Sequence, residues 1–327
     1  MPNTVEMTIV KAINAGIRKA MADNDKVLVF GEDVAALGGV FRVTEGILAE
    51  FGPKRIFNSP IAEAGIIGTG IGLAMRGYRP VAEIQFDGFI FPAFNQITTQ
   101  LAKLQNRSEG AMTMPMVIRV PYGGGIGAIE HHSESPEAYF AHTPGLRVIS
   151  PSNPNDAYWM IQQAIASEDP VLFFEPKRRY WQKGPVDLAN PPAGMHEATV
   201  LRQGKDVTIA AYGPMVATAL QAAEIGATEG RSIEVIDMRS MSPIDYATIL
   251  ESVKKTGRLI VTHEANTNVS VSSEVAARVA ELAFYHLEAP VLRVGGFDVP
   301  YPAAKLEEKF LPDADRLLEA VDRSLGY

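Results

Sequence analysis

Apolar positions change their spacing partway along the chain. Beyond residue 204, short apolar runs at 207–212, 233–236, 259–262 and 291–294 alternate with helix-period stretches near 215–227, 243–254 and 271–284. That alternation predicts a doubly wound parallel sheet. The first half reads similarly but with more interruptions. Thr8 starts an amphipathic helix to about Ala22, with Ile9, Ile13, Ile17 and Ala20 on one face. A strand at 27–30 ends in Gly31-Glu32-Asp33, a position typical of site loops, and a helix near 44–51 stops at Gly52-Pro53. From Glu63 to Arg76 the period is helical, yet glycine recurs at 65, 68, 70 and 72, each costing roughly 0.5–1 kcal/mol relative to alanine. Ala64, Gly68 and Gly72 fall on one face, where another backbone could approach closely, and Gly77 suits the helix stop. A strand over 80–86 follows, then an Asp87-Gly88 turn and an aromatic-rich helical segment reaching Gln105.

Further on, an apolar strand at 116–120 feeds a glycine loop, and Ser135-Pro136-Glu137 signals a helix start. Asn153 caps a helix to about Ser167, and 170–175 is a buried strand. Pro185, Pro191 and Pro192 mark a linker. The chain therefore divides into a first domain at 1–183, a linker at 184–203 and a second α/β domain at 204–327. Ser242-Pro243 reads as a helix start, and the tail at 306–327 as one amphipathic helix, acidic between Glu307 and Asp315.

With 327 residues, 46% of them apolar, the chain has material for two cores. A net charge of −8 and no basic run longer than Lys177-Arg178-Arg179 argue against nucleic acid as a partner. The absence of cysteine excludes disulfides and Cys-ligated zinc, and fits a reducing compartment. No signal-like amino terminus and no run of about 18 apolar residues is present, so a soluble, cytoplasmic protein without membrane contact is expected.

Three places carry candidate chemistry. The loop Gly123-Gly124-Gly125-Ile126-Gly127-Ala128 contains G-x-G-x-x-A, but no helix start accompanies its glycines as a dinucleotide site requires, which favours a flexible loop shaping a channel. In Glu130-His131-His132-Ser133-Glu134 the adjacent histidines lack helical metal-ligand spacing, so proton transfer by an imidazole is the better reading. Glu63 is a lone carboxylate among Ile61, Ala62, Ala64, Ile66 and Ile67. His263-Glu264, after a strand, reads as structural or as an interface.

The words LVFGEDV (28–34), GGVFRVT (38–44), SPIAEAGIIGTGIGLAMRGYRPVAEIQF (59–86), HSESPEAYFAHTPGLRVISPSNPNDA (132–157) and DPVLFFEPK (169–177) resemble the β subunit of the thiamine-dependent 2-oxo acid dehydrogenases. The resemblance implies a transketolase-like pyrimidine-binding domain followed by a transketolase C-terminal-like domain, both doubly wound open sheets. It implies that Glu63 hydrogen-bonds N1′ of the aminopyrimidine of thiamine diphosphate. Near pH 7 a glutamate in that role must keep or share a proton, roughly 4 kcal/mol above its ordinary preference, which burial among apolar neighbours can supply. Phe89 matches the aromatic position that packs on the pyrimidine, and Gln85 resembles a site glutamine of branched-chain members. His132 corresponds to a channel histidine implicated in proton transfer during acyl transfer to lipoamide, while His131 stands where relatives often differ.

The Gly-Asp-Gly and Asn-Asn pattern that holds the diphosphate through Mg2+ in that family is missing here, where Phe86 precedes Asp87-Gly88. An α subunit is therefore expected to carry it, in an α2β2 heterotetramer with the cofactor bridging both chains. Relatives also hold a monovalent cation such as K+ through backbone carbonyls at the positions of Met114, Met116, Ala164 and Asp169. The implied reaction is oxidative decarboxylation of a 2-oxo acid, with the acyl group passing to lipoyl-lysine of an acyltransferase core that docks on the C-terminal domain. Gln85 and Phe173-Phe174-Glu175-Pro176-Lys177 favour a branched-chain substrate (2-oxoisovalerate type), with pyruvate dehydrogenase as the alternative. Readings of a different class are a nicotinamide-dependent oxidoreductase built on the Gly123 loop and a non-catalytic scaffold.

Overall fold

In the computed structural model, which describes residues 4–327, the first apolar stripe becomes the helix Ile9–Asp23, capped by Thr8, whose hydroxyl accepts the Lys11 amide at 3.3 Å. Ile9, Ile13 and Ile17 are fully buried, and the helix lies against Pro154–Ala166, itself capped by Asn153. A seven-stranded sheet runs in the order Ser240–Ser242, Arg147–Ile149, Val171–Pro176, Val117–Tyr122, Arg79–Glu83, Val27–Gly31, Ile56–Asn58. Every neighbouring pair is parallel except the first. The central strands are buried along their whole length, as a sheet covered on both faces requires.

The second sheet orders Leu292–Gly296, Leu259–Asn266, Val207–Ala211, Ile233–Asp237 and Thr199–Arg202, parallel except for the last pair. The helices Met215–Thr228, Tyr246–Thr256 and Val271–Ala283 connect it. The halves are not separate bodies. Ser240–Ser242, which follows the second sheet's strand Ile233–Asp237, forms an edge of the first sheet. One apolar core runs from Phe30 and Ile118 through Tyr122 and Tyr212 to Val275 and Val279. The stretch expected as a linker, 184–203, carries most of Lys183–Asp187, paired antiparallel with Thr4–Thr8, and the edge strand Thr199–Arg202.

Several local expectations are corrected. The helix near 44–51 shrinks to Ile47–Phe51, because Gly46 turns left-handed at φ 78° and the buried Thr44 hydroxyl bonds instead to the Val34 carbonyl at 2.7 Å. The helix expected to reach Gln105 is a 3-10 turn at Asp87–Ala93, a π-helical stretch at Gln96–Leu101 and an α-helix at Ala102–Arg107. The helix expected from Ser242-Pro243 begins later, with Asp245 as its cap. The tail is two helices, Glu307–Phe310 and Ala314–Leu325, separated where Pro312 removes a backbone donor and Asp313 caps the second.

Candidate active site

The carboxyl ends of parallel strands are where such sheets present ligand sites, and the candidate residues follow Val27–Gly31, Ile56–Asn58, Arg79–Glu83, Val117–Tyr122 and Val171–Pro176. Val117–Tyr122 runs into the loop 123–134, whose ends close on each other: the Gly123 amide donates to the Glu134 carbonyl at 2.9 Å. His131 and His132 sit on its 3-10 turn, Glu130–His132. The His132 ring lies 4.1 Å from that of Phe86, 5.1 Å from Phe89 and 4.4 Å from His131, centre to centre. Its Nδ1 is buried without a partner. Burial, then the neighbouring His131 and Lys177, hold the imidazole below its ordinary pKa against an opposing pull from Glu130. A neutral ring is thus favoured, able to accept a proton and pass it on.

The expected Asp87-Gly88 turn is instead the hub beneath this loop. Asp87 is fully buried, paired with Lys177 at 2.5 Å, and accepts the Glu134 amide at 2.8 Å. Burial pushes its carboxyl up and Lys177 pulls it back, while burial lowers the lysine. Gly88 backs onto His131, where any Cβ would collide with the histidine's main chain.

Glu63 begins the helix Glu63–Met75, which packs against the 3-10 turn carrying Phe89. The carboxylate is half-buried and its charge is felt by Glu32, whose pKa rises through burial, then Glu63 and Asp33. The apolar enclosure expected from its neighbours is only half present. Ile66 and Ile67 are buried in the core, but Ile61 is 83% exposed and Ala62 is open. Chain periodicity explains this: residues just before a helix N-terminus do not share its buried face. Along the same helix the small-residue row lies open, with nothing within 4 Å of where a Cβ would stand on Gly68 or Gly72. Deeper in, Arg119 is fully buried between Glu83 at 2.7 Å and Glu175 at 2.6 Å, with the Tyr180 hydroxyl donating to Glu175 at 2.5 Å.

The glycine loop, expected to be flexible, is anchored by hydrogen bonds. Its amides are spoken for by the second domain: Gly124 donates to Glu264 at 3.0 Å, and Gly125 and Gly127 donate to the two oxygens of Glu307 at 2.9 and 3.0 Å. Carboxylates therefore occupy the donors that a dinucleotide pyrophosphate would need. His263 is sealed between the Ala265 carbonyl at 3.0 Å and Ser272 at 2.7 Å, and burial drives it down to about 4, in keeping with a structural part.

Comparisons with known proteins bear on the family and the fold. The chain matches the transketolase pyrimidine binding domain over residues 5–182 and the transketolase C-terminal domain over 196–317. It is 64% identical over 326 residues to the pyruvate dehydrogenase E1 component subunit beta of Leifsonia xyli subsp. xyli, covering 100% of this chain and 97% of that one. It belongs to the β subunits of the thiamine-dependent 2-oxo acid dehydrogenases. Within that family it is also 52% identical over 323 residues to the 3-methyl-2-oxobutanoate dehydrogenase subunit beta of Mycobacterium tuberculosis, covering 98% and 93%. Among solved structures, a split-gene transketolase described as an inactive beta4 tetramer superposes with a TM-score of 0.81 at 26% identity, over 98% of both chains.

For a β subunit of this family the residues present fit one half of the cofactor. Phe86, Phe89 and the unpartnered His132 Nδ1 form an aromatic, half-open wall beside the helix of Glu63, suited to a planar pyrimidine. They do not fit the diphosphate. Asp87, in the chain's Asp-Gly, is consumed by Lys177 and the Glu134 amide, and the glycine-loop amides are filled. Gln85 is half-buried on the stretch leading to Phe86. Lys177 enters the sequence reading only through the substrate motif and Glu264 only as a structural or interface residue, and no local signal marks Phe86, Asp87 or Glu307 as part of the site. Only the Gly31-Glu32-Asp33 pattern pointed towards Glu32. No helix among the described residues is long and apolar enough to cross a membrane.

Proposed function

We propose that this chain supplies the pyrimidine side and the acyl-transfer histidine of a heterotetrameric α2β2 2-oxo acid dehydrogenase, with thiamine diphosphate bridging to an α subunit that grips its diphosphate through Mg2+. The observation that carries this is the half-site itself: Glu63 at the head of a helix with one open face, beside an aromatic wall carrying an unpartnered histidine nitrogen. When bound, thiamine diphosphate supplies the nucleophilic carbon that adds to the 2-oxo carbonyl and accepts the electron pair left as carbon dioxide departs. In that setting Glu63 holds a proton at N1′, Phe89 orients the pyrimidine face, Gln85 borders the substrate space, and the neutral His132 moves a proton as the acyl group leaves for lipoyl-lysine. The open face at Ala64, Gly68 and Gly72 is a suitable seat for a partner helix, and a partner covering Ile61 would complete the apolar surround that Glu63 lacks.

Pyruvate is the favoured substrate. The motif that argued for a branched-chain acid is occupied elsewhere: Phe173 and Phe174 lie in the core, Glu175 holds Arg119, and Lys177 holds Asp87. None of them is free to read a substrate side chain. The higher identity to a pyruvate dehydrogenase subunit supports the same choice. The 52% relative and Gln85 keep 3-methyl-2-oxobutanoate as the second reading, because selectivity of this size rests on only about 1–3 kcal/mol. The carbonyls of Met114, Met116, Ala164 and Asp169 each already accept one hydrogen bond, from Met116 and Val171 amides, the Ser167 amide and the Ser167 hydroxyl. Each keeps a second lone pair, compatible with a K+ ion. The C-terminal domain is the proposed dock for the acyltransferase core, but Glu307 is buried and cannot contribute to an acidic docking face. Co-purification with an α chain, followed by assay with pyruvate and 3-methyl-2-oxobutanoate, tests the proposal. An assembled complex inactive on both acids would sink it.

A further inference from the structure

We infer that Glu307 is a positioning residue for His132: a side chain of the second domain that fastens the loop on which the histidine rides. This rests on the reading of His132 as the proton-transfer group. The loop 123–134 is tied at its base by Gly123 to Glu134 and, on one side, by the Asp87–Lys177 pair through the Glu134 amide. Among the described residues, no group of the first domain accepts a hydrogen bond from the tip amides on its other side. Those amides reach across the domain boundary instead, Gly125 and Gly127 to the two carboxylate oxygens of Glu307, and Gly124 to Glu264. The Tyr301 hydroxyl donates to Glu307 at 2.7 Å, and Arg178 pairs with Glu264 at 3.1 Å, so both carboxylates are held in turn.

Glycine is what permits the approach. A Cβ on Gly124 would collide with the Tyr301 hydroxyl, and one on Gly125 would strike the Arg178 side chain. Glu307 is only 8% exposed, so its two charge-assisted bonds are shielded from water and among the stronger kind. From the clasp the main chain returns directly to His132: the His132 amide bonds the Ile129 carbonyl at 3.0 Å, and the Ser133 hydroxyl bonds Ala128 at 3.3 Å. Loosening the tip therefore displaces the imidazole against Phe86 and Phe89, while the helix of Glu63 makes no use of the clasp.

The test uses the complex reconstituted with its α chain. For Glu307→Ala, acyl transfer to a lipoyl domain should fall on the order of ten- to a hundred-fold, as misplacement of a reacting group by about 1 Å does. Decarboxylation read with an artificial electron acceptor should change far less. Amide hydrogen exchange of the 123–134 segment should accelerate in the assembled tetramer. Glu307→Gln keeps one acceptor oxygen and should recover part of the loss, and Tyr301→Phe should give a smaller change of the same sign. An assembled Glu307→Ala tetramer with unchanged loop exchange, or with both half-reactions falling equally, overturns the inference. Should even the unaltered complex fail to decarboxylate, the functional reading fails, and the loop exchange still judges the clasp.

Discussion

The two walls of the half-site differ in how finished they are. The histidine wall is locked from both domains, by Asp87 and Lys177 below and by Glu264 and Glu307 above, and its central imidazole packs between two phenylalanines. The glutamate wall is open: Glu63 is half-buried, Ile61 is 83% exposed, and two glycines of its helix face empty space. A charged or hydrogen-bonding loop can be satisfied within one chain. A carboxyl that must stay protonated needs water excluded from all sides, which a single helix end cannot achieve. On the proposed reading, the contrast is what a cofactor divided between two polypeptides would require.

The sharpest way to break the contrast is Glu63→Gln. If the open wall carries the proton at N1′, decarboxylation in the reconstituted complex should fall by about 10²–10⁴, the usual worth of a positioned acid or base. Assembly, followed by size-exclusion chromatography, should be unchanged. Retained activity would remove Glu63 from the chemistry.

The locked wall should respond in stability. Lys177→Met leaves Asp87 buried without its cation, which for such pairs costs about 3–5 kcal/mol. Pairing it with Asp87→Asn should return most of that loss, since what destabilises is the orphaned charge, not the missing attraction. Urea unfolding of the isolated chain measures both. Additive losses in the double variant would mean that the two side chains act independently.

Most of the frame is legible from periodicity, because buried parallel strands and helix caps are local facts. Thr8 and Asn153 cap where expected, and the strands Val207–Ala211 and Ile233–Asp237 match their apolar runs to within a residue, while the run at 259–262 extends to Asn266. Local context marks Glu63 and the histidine pair only as candidates, and the roles proposed for Glu63 and His132 come from motif resemblance, since neither spacing nor composition assigns a function. The clasp and the hub are not legible at all. Asp87 and Lys177 lie 90 residues apart, and Gly125 and Glu307 lie 182 apart, and a burial this distant leaves no local period. Asp87-Gly88 looks like a turn and Glu307 like part of a solvated acidic helix until the tertiary fold encloses them.

Where the domains meet, two buried groups titrate in opposite senses and allow a finer test. Glu137 is fully buried, bonded by the Tyr212 hydroxyl at 2.6 Å, and burial raises it to about 7. The folded chain then holds a proton that the unfolded chain releases near 4.5, so its stabilising contribution is complete below 4.5 and lost as pH rises through about 7. His263, lowered to about 4, does the reverse: its contribution is complete above the ordinary histidine value of about 6.5 and lost as pH falls towards 4. Each amounts to about 3 kcal/mol, and between about 4.5 and 6.5 they largely cancel. Glu137→Gln should unmask the histidine, so that the urea midpoint rises with pH over that window more steeply than in the parent chain. Parallel pH profiles would mean that Glu137 is ionised in the folded state.

The smallest effect separates the two walls most cleanly. Gly68 lies within Glu63–Met75, exposed, with ordinary helical backbone and no atom near its missing Cβ. In the isolated chain nothing opposes a methyl group there, and alanine is the better helix former, so Gly68→Ala should stabilise the β chain by about 0.5–1 kcal/mol. If the open face seats a partner helix, the same methyl group holds the two backbones apart and weakens the α–β complex. The two measurements then move in opposite directions, a pattern that no purely intrachain role of the glycine produces. A chain that gains stability and binds its α partner as tightly as before would show that this face stays open in the assembly, and that water is kept from Glu63 by some other surface.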